Sequence, residues 1–212
     1  NLTSSNYEVP HRIVGSLGAT FNFVESSSTT FSFFYEGQSG RPFSYKGEEG
    51  DIDYNGDGDA RNDLIFVFND ASKVNMVDSE GNNAWDAWTA FVNQDDALKE
   101  YKGKIIDRNA GRQPWRNRLD LRITQKVFDR VELTFDILNF ANLLSSDAGK
   151  QEYVRYGTVD LLEFTGFADE NDVSSKPTFE FDTEKYTKTE DVYSVDDFGS
   201  RWQMLLGLRI NI

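Results

Sequence analysis

Three observations predict an all-β protein built from antiparallel strands. Five stretches of the 212-residue chain alternate apolar and polar residues with a period of two, as a strand does when one face is greasy and the other wet. Glycine outnumbers proline 16 to 4 and aromatics reach 14%, a balance that leans toward strands. The connections between the five stretches are by turns short and long. No apolar run approaches the ~20 residues a transmembrane helix needs, so a helical membrane protein is excluded.

The first stretch, about 11–24, sets Ile13, Gly15, Leu17, Ala19, Phe21 and Phe23 against Val14, Ser16, Gly18, Thr20 and Asn22. After the turn Glu25-Ser-Ser-Ser28, the second, about 29–37, puts Phe31, Phe33 and Tyr35 on one side. Two alternating runs joined by a short polar turn make a hairpin.

A second hairpin follows at about 116–127 and 131–142, around the turn Phe128-Asp129-Arg130. Its apolar positions are Leu119, Leu121, Ile123, Val127, Val131, Leu133, Phe135 and Ile137. The alternation slips at Leu138–Phe140, where a bulge near the strand end is expected. The last stretch, about 201–212, carries Trp202, Met204, Leu206, Leu208, Ile210 and Ile212 on one face. Gln203, Leu205, Gly207, Arg209 and Asn211 lie on the other.

Such strands fit either a half-buried soluble sheet or the wall of an outer-membrane barrel. In the first case the ionisable face (Asp120, Arg122, Lys126, Glu132, Asp136 and Arg209) is solvated. In the second it lines a wet lumen, where opposite charges on neighbouring strands pair. The connections favour the barrel. With a periplasmic C-terminus, both short turns fall on the periplasmic side and both long segments, about 40–114 and 145–199, fall outside the cell. Acidity sits in those segments. Residues 40–114 hold 15 acids to 9 bases, and 145–199 hold 14 to 5, in a chain whose net charge is −14. That charge argues against nucleic acid as a partner. Five strands cannot close a barrel, which starts at about 8, and Asn1-Leu-Thr-Ser-Ser reads as the middle of a sequence. The expectation is therefore a C-terminal piece, residues 1–212 being part of one barrel domain.

Asp53-Tyr-Asn-Gly-Asp-Gly-Asp-Ala-Arg-Asn-Asp63 has two readings. Asp53, Asn55 and Asp57 stand at positions 1, 3 and 5 with Gly58 at 6, as in a loop that folds oxygen ligands around a structural calcium ion. Leu64 occupies position 12, where a bidentate glutamate is wanted, so Asp59 or Asp63 would have to substitute. The other reading is an acidic Asn/Asp/Gly turn. Trp85, Trp88 and Phe91 either stack on a ligand ring or, more simply, form that segment's own core. Asp169, Glu170 and Asp172 read as a solvated face, and Tyr7, Tyr35 and Trp202 as members of interfacial aromatic girdles. His11 is the one histidine and cysteine is absent. With no nucleophile–base pair and no phosphate-cradling glycine loop, an enzymatic reading has no support.

Several motifs, in order along nearly the whole chain, resemble the C-terminal barrel of TonB-dependent transporters. They are Asn6-Tyr-Glu-Val-Pro-His-Arg-Ile-Val14, Phe33-Phe-Tyr-Glu-Gly-Gln-Ser-Gly-Arg-Pro-Phe43, and Asp53-Tyr-Asn-Gly-Asp-Gly58 with Asn62-Asp63-Leu64. Further on come Arg108-Asn-Ala-Gly-Arg112, Arg118-Leu-Asp-Leu-Arg-Ile123, and Phe135-Asp-Ile-Leu-Asn-Phe140 with Asn142. The group resembled is Oar-like, from Bacteroidota, with a carboxypeptidase-regulatory-like domain. Terminal Ile212 departs from the aromatic end usual in such barrels.

The resemblance implies the last strands of a barrel of about 22, plugged by a domain encoded upstream. It also implies outer-membrane lipid around the wall, TonB acting through the missing N-terminal region, and active transport of a bulky nutrient or peptide. A surface lipoprotein or other outer-membrane partner on top is compatible with it. The competing expectation is an outer-membrane binding or adhesion protein with calcium-braced acidic loops and no transport.

Overall fold

The computed structural model describes residues 3–48, 53, 57–59, 62–128, 130–169 and 171–210. Asn55, Asp129, Glu170 and Ile212, all weighed above, lie outside them. In chain order the strands are β1 (Arg12–Val24), β2 (Ser27–Gln38), β3 (Pro42–Gly47), β4 (Asn75–Val77), β5 (Gly111–Arg112), β6 (Arg116–Val127), β7 (Val131–Leu138), β8 (Glu152–Tyr153), β9 (Thr158–Phe167), β10 (Pro177–Glu180), β11 (Ser194–Val195) and β12 (Gln203–Ile210). The helices are α1 (Trp85–Gln94), α2 (Asp96–Glu100), α3 (Phe140–Leu144) and α4 (Asp197–Ser200). The protein is mostly β, as the alternation predicts, and it divides into two units.

The sheet unit comprises Val9–Gly40, Pro114–Tyr153 and Val195–Ile212. Its five strands run antiparallel in the order β1-β2-β6-β7-β12. Register turns the alternation into rows across the sheet. Ala19, Phe31, Ile123, Phe135 and Leu206 form one apolar row, and Leu17, Phe33, Leu121, Ile137 and Met204 the next. On the other face Thr20, Thr30, Thr124 and Thr134 line up and end at Gly207. A one-residue slip in any pair would swap the faces, so the pattern fixes the register. A Cβ on Gly207 would come within 2.3 Å of Thr134 Oγ1, so the smallest residue closes the threonine row.

Both long segments leave the sheet at one end, where Gln38 pairs with Arg116 and Leu138 with Gln203. The short turns after β1 and β6 are at the other. Among the described residues no sheet closes on itself; β1 and β12 each keep one free edge.

The slip at Leu138–Phe140 is a strand end and not a bulge. Asn139 adopts φ 52°, ψ 48° and opens α3, so the strand expected to reach 142 stops at Leu138. Asparagine tolerates this left-handed geometry. Its side chain secures the turn, donating from Nδ2 to the carbonyls of Gly149 (3.0 Å) and Ser200 (2.7 Å). Its backbone N–H donates to Asp120 Oδ1 at 2.8 Å. α3 then lies against β6, with the Phe140 ring 6.4 Å from that of Phe33.

The insertion unit comprises Asn1–Glu8, Arg41–Gln113 and Val154–Ser194. Most of the two long segments thus builds a folded body with its own core, the simpler of the two expectations for Trp85, Trp88 and Phe91. Its sheet, ordered β4-β10-β9-β3-β5, is mixed, with β3 parallel to β9 and β4 parallel to β10. α1 presents Trp88, Phe91 and Val92 at helical spacing to that core. The Trp88 ring stands edge-on to Phe181 at 5.6 Å, and Phe181 stacks on Tyr186 at 6.1 Å. Each such side chain removed from water contributes about 1.5–3 kcal/mol, which is why an acidic, glycine-rich segment can hold a shape.

Candidate functional site

The parallel pairing of β3 with β9 in the insertion unit sets Ser44 beside Thr158 and Lys46 beside Asp160. All four lie on one side of the two strands, because residues two apart share a face. Lys46 is 8% exposed, and its Nζ reaches Asp160 Oδ1 at 3.2 Å. A buried ammonium needs such a partner.

Arg108 and Asn109 complete one wall. Asn109 holds φ 61°, and its N–H donates to Ser44 Oγ at 2.9 Å. Its Nδ2 donates to Ser4 O at 2.6 Å and to Asn6 Oδ1 at 2.8 Å. Arg108 Nη2 donates to the same Asn6 oxygen at 2.8 Å. At the opposite lip two consecutive residues are left-handed, Tyr156 at φ 57° and Gly157 at φ 71°. Tyr156 is 93% exposed. These groups, with Asn62 and Leu64, enclose a cavity of about 280 Å³. Among the described residues its walls are rich in amides and hydroxyls and hold two cations but no carboxylate.

A larger cleft of about 370 Å³ lies beside α2, where Asp95, Asp96, Glu100, Arg112 and Tyr193 meet. Its chemistry is structural. Asp95 Oδ2 accepts from Tyr45 Oη at 2.6 Å, and Oδ1 accepts from the Leu98 N–H at 2.8 Å, capping α2. Arg112 pairs with Glu8 at 3.3 Å. Burial and the facing Asp95 carboxylate push the Tyr45 phenol far above its ordinary range, so it stays a donor.

The residues singled out from sequence fall in different places. Asp53 accepts from the N–H groups of Asp57 (3.2 Å) and Gly58 (2.6 Å). Asp57 accepts from Asp59 N–H (2.8 Å) and Asn62 Nδ2 (3.1 Å). The Asp57–Asp59 bond is an Asx turn, while Asp53 reaches four and five residues on and closes a wider loop. Asp63 is buried, at 2% exposure. Among the described residues no three His, Cys, Asp or Glu side chains converge as a metal would require.

Trp88 and Phe91 are wholly inside the core, so they cannot face a ligand, and Trp85 packs half-buried against that core. The first two are placed there by α1, whose apolar side needed covering. Asp169 and Asp172 accept from the N–H groups of Asn171 and Ser174, which are self-contained turns. Tyr7 lies under Arg41, with the guanidinium 5.9 Å from the ring centre. His11 enters only through its backbone, whose N–H donates to Ser39 Oγ at 3.2 Å.

The polar side of the sheet unit carries its charges in pairs. Arg122 grips Asp136 with two bonds, Nε to Oδ1 at 2.5 Å and Nη2 to Oδ2 at 2.9 Å. Asp120 accepts from Arg118 Nε at 2.9 Å. Lys126 and Arg209 flank Glu132 in the register of their strands.

Tyr156 carries little signal in the sequence. Its one local sign is the Tyr-Gly pair ahead of an apolar run, and the cavity exists only because five separate segments meet. No protein-family model, curated protein or solved structure matches the chain.

Proposed function

We propose that this chain is barrel wall and outward-facing insertion of a TonB-dependent outer-membrane transporter of the Oar-like group, importing a bulky nutrient or peptide. One observation carries the reading: a two-faced sheet whose apolar rows end in exposed side chains at both free edges. Leu17 on β1 is 72% exposed and Leu206 on β12 is 78% exposed. Apolar rows in register across a sheet and exposed at its two edges suit lipid, and the ion-paired, threonine-lined face suits a wet lumen. Free edges on a sheet this long call for further strands on both sides, since unpaired backbone has no place in a bilayer. In this reading the strands that close the barrel, and the plug that TonB remodels, belong to chain outside these residues. The end from which both insertions leave is extracellular, in keeping with the long outer connections of such barrels. No helix among the described residues is long and apolar enough to cross a membrane, which says nothing of a β-barrel.

The absence of cysteine gives a clean test. Val173→Cys in the insertion unit is expected to react with an impermeant maleimide on intact cells. Arg130→Cys in the β6–β7 turn is expected to react only after the outer membrane is opened. Labelling of both sites on intact cells, or of neither, sinks the topology. If the topology holds and loss of TonB leaves uptake unchanged, the protein is a surface-binding barrel and not a transporter.

A further inference from the structure

We propose that the cavity at Ser44, Arg108 and Tyr156 is a sugar-acid site that takes a single pyranose ring bearing a carboxylate, a hexuronate. The inference goes beyond the transport reading and stands without it.

Tyr156 is the first argument. A bulky side chain at positive φ is disfavoured, and such strain persists where the surroundings impose it, often at ligand sites. Packing does not explain the residue, because it is 93% exposed. Turn geometry does not explain it either, since glycine or asparagine would make the same turn at less cost. What tyrosine adds is a rigid flat face at the lip of a cavity. A pyranose offers a matching face of C–H groups, and a tyrosine also keeps a polar tip in water.

The walls are the second argument. Asn6, Asn62, Asn109, Ser44 and Thr158 line the cavity with neutral amide and hydroxyl groups, and Leu64 is its one aliphatic contributor. An aromatic acid would want apolar walls. A ring of hydroxyls, each both donor and acceptor, wants amides and hydroxyls. The volume, about 280 Å³, suits one sugar ring and not a longer oligosaccharide bound whole.

Charge is the third. In a chain of net −14, this cavity has two cations and, among the described residues, no carboxylate in its lining. Lys46 is balanced by Asp160 at 3.2 Å. Arg108 is not balanced: it donates to the neutral Asn6 amide and forms no ion pair among the described residues. A guanidinium presents a planar fork that matches one carboxylate. The site therefore has room for one negative charge on a hydroxylated ring.

The test is titration calorimetry of the full-length protein in detergent with D-glucuronate, set beside D-glucose, acetate and inorganic phosphate. Glucuronate is expected to bind saturably and at least tenfold more tightly than the other three. Arg108→Gln should bring glucuronate down to the level of glucose. Tyr156→Gly should weaken glucuronate at least tenfold while leaving the thermal midpoint unchanged or raised, because glycine relieves the left-handed strain. A midpoint that falls with Tyr156→Gly would mark the ring as structural and overturn the proposal. So would acetate or phosphate binding as well as glucuronate, unaltered affinity in Tyr156→Gly, or no saturable glucuronate binding. These binding measurements do not depend on transport, so failure here leaves the cysteine-labelling result standing, and the reverse.

Discussion

Asp95 joins two elements through one carboxylate. It ends α1 in an extended conformation, caps α2 through Leu98, and receives the hydroxyl of a fully buried tyrosine. A hydrogen bond to a charged acceptor contributes more than a neutral one, so Tyr45→Phe is expected to cost about 2 kcal/mol in urea unfolding of the insertion unit. Asp95→Ala loses the cap as well and leaves the tyrosine hydroxyl buried without its acceptor. Its expected cost is larger, about 3 kcal/mol. An Asp95→Ala protein as stable as Tyr45→Phe would show that the cap contributes nothing. The sequence marks Asp95 only as one acid among many, because its value comes from Tyr45, 50 positions away.

Among the elements, the β9–β10 pairing carries an internal conflict. Register sets Glu163 directly opposite Glu180. Burial raises the Glu180 carboxyl above its ordinary range, helped by the charges of Glu163, Asp182, Glu48 and Asp78. A carboxyl whose folded pKa is raised penalises the fold where it is ionised, so the penalty is complete above the folded pKa and gone below the unfolded one. Glu180→Gln is expected to stabilise the protein by about 0.5 kcal/mol at pH 7. The gain should shrink to nothing as the pH falls below the ordinary glutamate range, which thermal melts across pH 3–8 would show. A gain independent of pH would rule out charge as its source.

The sheet unit has an element-scale prediction of its own. Leu206→Arg puts a charge on the proposed lipid face and should cost about 2–4 kcal/mol if it sits near the bilayer midplane. Thr124→Arg, on the threonine row, should assemble nearly normally. Heat-modifiable mobility on gels reads both, and equal assembly of the two variants would remove the inside–outside assignment.

At the scale of the whole molecule, the chain passes twice from the sheet unit into the insertion unit and back. Phe181, from the second passage, packs on Trp88 and Phe91 from the first. Phe181→Ala is therefore expected to cost about 3–5 kcal/mol and to open both segments, 41–113 and 154–194, to protease together. The β1-β2-β6-β7-β12 sheet should stay protected, since its rows do not include Phe181. Cleavage confined to 154–194 would mean that the segments fold separately.

The sequence by itself determined the five long strands, their two faces and their order of short and long connections. That information is local: a period of two is written in neighbouring residues, and one buried or lipid-facing side suffices to fix it. The Arg122–Asp136 pairing was legible for the same reason, since both charges stand on the polar face of adjoining strands. Tertiary structure alone decided that β3 lies parallel to β9, and that Arg108, Ser44 and Tyr156 share a cavity. Parallel partners more than a hundred residues apart leave no mark in local periodicity. A backbone turned left-handed at a tyrosine contradicts the residue's own preference, so it had to be imposed by the fold around it.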